Sequence, residues 1–248
     1  MKLFQRLFFA AVLAGLIAGI GMTALQQWRV APLILAAEVY ETAEAAPAHD
    51  HAASAATPAA APAHEHDESA WAPHDGFERT AYTVLADLLA AAGFALLLGA
   101  VSVLSGIEIT PRNGVLWGLG GFLAFQLAPA FGLAPELPGM PAADLVARQI
   151  WWISTVIATG AGLLVIAKYR NWTAVGAGAV LLLLPHIIGA PQLVAEQESA
   201  VPARLATEFA ASTLTVSAVF WLSVGPLLGW FSGRFAKSPS LAFKGAHA

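Results

Sequence analysis

Histidine is the residue type in this chain whose spacing points most directly to metal chemistry. Five of the seven histidines lie in one stretch, AHDHAASAATPAAAPAHEHDESAWAPHDG, residues 48–76. They are His49, His51, His64, His66 and His74. Side chains two residues apart point the same way on an extended chain, so each His-x-His pair could bind one ion. Imidazole with neighbouring carboxylates suits Zn²⁺, Ni²⁺, Co²⁺ or Cu²⁺. The alternative is a solvated polar loop whose histidines bind nothing.

The chain as a whole contrasts with this stretch, because 58% of all residues are hydrophobic and 11% are charged. A soluble domain carries about 25% charged residues, so this composition predicts an integral membrane protein in a lipid bilayer. No basic cluster indicates a nucleic-acid partner. The chain has no cysteine, which excludes disulfides and thiolate metal sites. No hydrolase, metalloprotease or nucleotide-binding motif occurs, so neither enzymatic activity nor a bound cofactor is expected.

Six apolar runs approach the length of about 20 residues that a helix needs to cross the bilayer. They span residues 7–25, 80–104, 114–132, 150–167, 172–190 and 206–231. Lipid cannot satisfy free backbone groups, so each run is predicted to be a helix. The predicted fold is an all-α polytopic membrane protein with about six transmembrane helices, five being the alternative, arranged as three hairpins with long outer tips. Residues 1–248 then form one membrane domain with a flexible loop at 40–79 and a short tail at 232–248.

Lysine and arginine set the predicted orientation. Eight of these residues fall on the side that holds both termini, and four fall on the other side. This bias predicts a bacterial inner-membrane protein with cytoplasmic termini and a periplasmic histidine-rich loop. A cleaved signal peptide is the less favoured interpretation of the first run, which is longer than the usual 7–15 or so apolar residues. Tryptophans predicted at the two membrane boundaries are Trp28, Trp71, Trp151, Trp152, Trp172 and Trp230.

His186 stands apart from the loop histidines, in the apolar run LLLLPHIIGAP. An ionisable side chain at membrane depth is a functional hypothesis by default. Pro185 leaves a backbone carbonyl one turn earlier without its usual donor, and a broken helix beside an imidazole could form an ion site. The alternative is an imidazole that satisfies that carbonyl or a neighbouring helix.

Few other polar groups lie at membrane depth. A pathway for a divalent cation needs oxygen or nitrogen ligands spaced through the bundle. The predicted set besides His186 is Asp87, Gln126, Glu136 and Glu208. Each carboxylate taken singly is more typical of an interfacial group. Arg148 could instead form a structural ion pair with Asp144 or Glu136.

Two further patterns concern helix packing. The segments PAFGLAPEL and PHIIGAPQL follow similar positions in the third and fifth runs, which indicates either a weak internal repeat or chance similarity. Repeats are common in transporters, where sites lie near the repeat interface. Three GxxxG pairs are predicted to pack helices within the bundle: Gly15 with Gly19, Gly114 with Gly118 and Gly225 with Gly229.

The ordered set of motifs resembles one known family. APLILAAEVYE, the histidine loop, WAPHDGFERTAYT, GFLAFQLAPAFGLAPELPGMPAADLVARQIWW and LLLLPHIIGAPQ together resemble the CbtA family of predicted bacterial cobalt transporter subunits. The resemblance implies cobalt uptake into the cytoplasm, linked to cobalamin synthesis. It implies a small partner, CbtB, with one membrane span and a histidine motif. Site residues carried over are His186 of LPH and Glu136 of APELPG.

The function predicted from residues and resemblance together is uptake of a divalent transition metal. Cobalt is the expected ion, with Ni²⁺ or Zn²⁺ as alternatives, and it is a transported ligand rather than a cofactor. The outer loop would gather the metal, and the pathway would run near His186. The alternative function is a metal-binding sensor or scaffold subunit that stays in the membrane without transporting.

Overall fold

The computed structural model describes residues 2–45, 73–74, 76–193 and 199–237. The regular structure within these ranges is helical, and no strand occurs in them. The helices are α1 Lys2–Arg29, α2 Ala31–Ala45, α3 Phe77–Ser105, α4 Gly114–Ala130, α5 Leu145–Tyr169, α6 Trp172–Ile188 and α7 Ala203–Lys237.

Four of the six predicted apolar runs lie within one helix, and the runs 114–132 and 172–190 each extend two residues beyond the end of theirs. Four helices, α1, α3, α5 and α7, are long and apolar enough to cross a membrane. The other two, α4 and α6, have 17 residues each. Seventeen residues extend about 25 Å, near the lower limit of a transmembrane helix. The predicted all-α polytopic membrane fold is confirmed.

Helix α2 lies within the connection 26–79, for which the sequence analysis predicted no helix. Its apolar part, Ala31–Tyr40, is too short to give the signal of a membrane span. Ala37 is fully buried in an apolar cluster with Leu137, Val201 and Phe209, so tertiary packing accounts for the helix. Residues 46–72 and 238–248, which hold most of the predicted loop and tail, lie outside the described residues.

Small residues form the contact between α1 and α3. Ala10, Ala11 and Ala14 are fully buried, as are Ala91 and Ala95 on the facing helix. Lipid is as apolar as a leucine side chain, so close van der Waals contact is what holds such helices together. A Cβ at Gly15 would lie 2.6 Å from the Cα of Ala92, so this position has room for glycine alone.

The contact between α4 and α7 also depends on glycine. A Cβ at Gly114 would lie 2.7 Å from the carbonyl oxygen of Gly225, and one at Gly118 would collide with the Trp221 carbonyl. The Trp221 ring lies against Gly121 and is almost fully buried. Gly19 and Gly229, the second members of the other two pairs, face Ala91 and Thr110. Five of these six glycines therefore pack against helices of this chain, as predicted, whereas Gly229 packs against the connection 106–113.

In the last predicted hairpin, the helices that follow each other along the chain, α6 and α7, have different main packing partners. Helix α6 packs against α5, where Gly162 and Gly178 allow close approach. Helix α7 packs instead against α1 and α4. Helix α7 thus packs with helices from the beginning of the chain. Helices α5 and α6 form a separate pair, which contacts the rest of the bundle through α4.

The antiparallel helices define two ends of the bundle. The terminal end carries Lys2, Lys237 and the two short connections, 106–113 and 170–171. The tip end carries α2, the start of α3, the long tip 131–144 and residues 199–202. A second apolar cluster, with Val30, Leu137, Val201 and Phe209, joins these segments at the tip end.

Candidate functional site

The tip half of α4 departs from regular α-helix geometry. Residues Leu123–Leu127 form a π-helical turn, in which the N–H of Ala128 donates to the carbonyl of Leu123. Pro129 follows directly and has no N–H to continue the regular pattern. Single π turns within α-helices occur frequently at functional sites. Here the turn has a cavity on each side of it.

The first cavity lies between α4, α5 and α6 and has a volume of about 620 Å³. His186 lines it, half-buried between two aromatic rings. The imidazole meets Phe131 edge-to-face, with centroids 6.2 Å apart, and Trp151 likewise at 5.9 Å. Phe131 and His186 belong to the two proline-containing segments that resemble each other in sequence. The cavity therefore lies where these two segments meet.

The Trp151 ring is packed inside the bundle. It is 7% exposed, and its indole Nε1–H donates to the carbonyl of Pro185 at 3.2 Å. The Gly189 N–H donates to the same carbonyl at 3.0 Å. The carbonyl beside His186 thus has two donors, while no hydrogen bond to the imidazole itself occurs within the described ranges.

Two threonines on α5 continue the face that begins with Trp151. Thr155 and Thr159 are both fully buried. The Thr155 hydroxyl donates to the carbonyl of Trp151 at 2.8 Å. Thr159 is among the residues that line the His186 cavity, and its buried hydroxyl has no hydrogen-bond partner in the described part of the chain. The sequence analysis missed this residue, although polar residues four apart within an apolar run mark one helix face.

The second cavity lies on the other side of the π turn and has a volume of about 580 Å³. Gln126, Glu136, Arg148 and Gln149 line it. The Arg148 guanidinium donates to the Glu136 carboxylate at 2.6 Å, which links the tip to α5. This ion pair is one of the two that the sequence analysis considered for Arg148. The other candidate, Asp144, instead caps α5 by accepting from the Ala147 N–H at 2.8 Å.

The remaining predicted site residues lie apart from both cavities. Asp87 accepts a hydrogen bond from the Thr23 hydroxyl at 3.0 Å, across the α1–α3 contact. Glu208 pairs with Arg204 one turn away on the exposed face of α7. His74 is exposed just before α3, and its four loop companions, His49, His51, His64 and His66, lie outside the described residues.

The predicted ligands are therefore not brought together as one cluster in the described structure. Across these residues no three side chains of histidine, aspartate or glutamate meet in a group that could hold a metal ion. Glu136 and His186 line different cavities on opposite sides of α4. Among the described residues, the side chains that line the cavity with His186 offer it no second imidazole or carboxylate.

A family model described as "Probable cobalt transporter subunit (CbtA)" matches residues 4–233, nearly the whole chain. The chain belongs to the CbtA family. The resemblance seen in the ordered motifs is thus confirmed, and the match supports a role in cobalt transport across a membrane. The description of CbtA as a subunit implies that this CbtA chain has partners. No curated protein and no solved structure matches it.

Proposed function

We propose that this chain is the membrane subunit of a system that imports Co²⁺, with His186 as the principal protein ligand on the pathway. The observation that carries the proposal is a half-buried imidazole that lines a cavity between apolar helices and has no hydrogen-bond partner among the described residues. Neutral imidazole is a good ligand for divalent cobalt, nickel and zinc. An ionisable group at this depth needs either a partner or a function.

The carboxylates have secondary roles in this proposal. Glu136 is neutralised by Arg148, which makes it a weaker cation ligand than an unpaired carboxylate. Asp87 accepts a hydrogen bond from Thr23, and Glu208 pairs with Arg204. These three residues stay predicted contacts along the pathway, but each already has a protein partner.

The histidine-rich loop gathers metal before it enters the pathway. His49, His51, His64, His66 and His74 would raise the local concentration of the ion on the periplasmic side. With both termini in the cytoplasm of a bacterial inner membrane, the membrane potential drives a 2+ ion inwards by roughly 4–5 kcal/mol per 100 mV. The expected partner is a small histidine-containing protein with one membrane span, similar to CbtB.

The test is uptake of radiolabelled Co²⁺ by cells that express the chain alone or with a one-span partner. His186→Ala is expected to reduce uptake to the background of cells without the chain, because the cavity then offers no imidazole. His74→Ala is the matched control, since it removes an exposed histidine and is expected to leave uptake near the parent level at saturating Co²⁺. Protein amounts in the membrane are compared by immunoblot.

Parent-level uptake by the His186→Ala chain would refute the proposed site. If the parent chain shows no uptake with or without the partner, yet the purified protein binds Co²⁺, the sensor or scaffold alternative is favoured. Competition by excess Ni²⁺ or Zn²⁺ in the same assay measures the preference for cobalt.

A further inference from the structure

The His186 cavity provides few groups that could replace the water around a metal ion. The polar side chains among its lining residues are His186, Thr159 and Gln192. Elsewhere in the described structure, too, histidines and carboxylates do not assemble in threes. A divalent transition ion prefers several nitrogen or oxygen ligands, so an ion held by these described residues alone would keep most of its bound water.

The size of the cavity agrees with a hydrated ion. An ion with about six waters, each with a share of roughly 30 Å³, needs about 180 Å³. The cavity has a volume of about 620 Å³. The cavity therefore has room for an ion that keeps its bound waters.

Helix register brings Thr159 towards the level of His186. Gly162 of α5 lies beside Leu182 of α6, since a Cβ at Gly162 would be 2.6 Å from a Leu182 methyl group. The two helices run antiparallel, so one turn further along α6 corresponds to one turn back along α5. His186 is therefore level with the Thr155–Thr159 turn, and both His186 and Thr159 line the cavity.

The hydroxyls of Thr155 and Thr159 differ in whether they have a hydrogen-bond partner. Both are fully buried, and the Thr155 hydroxyl is satisfied by the Trp151 carbonyl. The Thr159 hydroxyl lacks any partner in the ranges that the structure describes. Burying an unpaired hydroxyl is unfavourable, and such a group in a native protein calls for an explanation, of which a bound water or ion is one.

We propose that the cavity binds a partly hydrated divalent cation, with the His186 imidazole as a direct ligand and the Thr159 hydroxyl accepting a hydrogen bond from a metal-bound water. The proposal rests on the proposed function and adds the hydration state of the ion and a second contact residue. Thr159 then acts as a positioning residue for the water shell, rather than as a metal ligand.

The test uses full-length protein whose five loop histidines and His247 are replaced by alanine, so that His186 is the one histidine left and bound Co²⁺ reports on the cavity. Thr159→Val removes the hydroxyl at nearly constant volume and is expected to weaken Co²⁺ binding about tenfold, the loss of one hydrogen bond. Without metal, its thermal stability is expected to equal or exceed that of the parent. Thr155→Val is the matched control and should bind Co²⁺ as the parent does. Thr159→Ser keeps the hydroxyl and should retain the affinity.

Each outcome decides a separate question. If Thr159→Val binds Co²⁺ as tightly as the parent, or loses stability or folding without metal, the water-mediated contact is wrong. If His186→Ala still loses Co²⁺ binding in that case, the proposed function stands. If His186→Ala binds Co²⁺ like the parent, the proposed site itself fails. The bound ion should show the weak visible absorption of six-coordinate Co²⁺, and intense tetrahedral absorption would overturn the hydrated state.

Discussion

Hydrogen-bond partners decide which ionisable side chains of this protein are available to an ion. Glu136, Asp87 and Glu208 each have a partner within the chain. The imidazole of His186 meets aromatic edges and a cavity. An ion near the first three competes with an existing contact, whereas His186 has no hydrogen bond or ion pair to lose among the residues that the structure describes. This difference is why His186 is placed at the centre of the proposal.

The ion pair between Glu136 and Arg148 is expected to stabilise the tip. Each side chain is 26% exposed, so solvent screens this pair less than it screens a surface pair. A double-mutant cycle with Glu136→Gln and Arg148→Met is expected to give a coupling free energy of about 1–3 kcal/mol in unfolding experiments. The same cycle on Arg204 and Glu208 should give a smaller coupling, because that pair is 88% and 48% exposed. Equal couplings would contradict this interpretation.

Sequence reasoning could select His186 and the carboxylates but not Thr159. A histidine after a proline in an apolar run is conspicuous without any coordinates. Threonine is common in transmembrane helices, and its hydroxyl usually bonds to its own helix, as that of Thr155 does. The difference between Thr155 and Thr159 depends on geometry that a linear pattern does not contain.

Glycine faces determine which helices touch. Helices α1 and α3 meet at Gly15, and α4 and α7 meet at Gly114 and Gly118. The sequence analysis predicted such contacts from GxxxG spacing, because only small residues allow backbones to approach in lipid. The spacing could not identify the partner of each face. For this reason the pairing of α7 with α1 and α4, rather than with α6, required the structure.

Gly118→Ala is the sharpest test of this packing. Its methyl group would collide with the Trp221 carbonyl, and backbone atoms cannot move aside as a flexible side chain can. We expect a loss of about 1–3 kcal/mol in stability, measured by thermal unfolding in detergent. Gly160→Ala is the matched control, because nothing lies within 4 Å of a Cβ there. It should be neutral or stabilising by up to about 1 kcal/mol. Similar losses at both positions would refute the packing argument.

The hydropathy of the sequence predicted the six long apolar helices but did not predict α2. Six runs were visible because lipid requires long apolar helices. Helix α2 has a shorter apolar part and is stabilised by contacts with Leu137, Val201 and Phe209, which lie about 100 residues or more further along the chain. Its Glu38 forms an ion pair with Arg79 at the start of α3. No window of local sequence contains these partners.

At the scale of the whole molecule, the proposed function assigns the gathering of metal to the histidine-rich loop and its passage to the cavity at His186. Deleting residues 48–69 is expected to raise the Co²⁺ concentration for half-maximal uptake, because the loop no longer concentrates the ion. The maximal rate should be retained, since the cavity is unchanged. The control replaces the loop histidines and acids of 48–69 with serine and alanine at constant length, and it should reproduce the deletion. An unchanged half-saturation concentration, or a lost maximal rate, would contradict a gathering role.

The π turn in α4 has a consequence for how one helix can serve two sets of neighbours. Residues before the turn, such as Gly118 and Gly121, are oriented by α7. Residues after it, such as Phe131, contact His186 on α6. One residue more than a regular helix requires rotates the second half by about 100° relative to the first. The π turn thus sets the rotation between the two halves of α4. Removing a single residue from Leu123–Leu127 would leave the contact between α4 and α7 in place, but it would rotate the α4 residues that line the His186 cavity away from it.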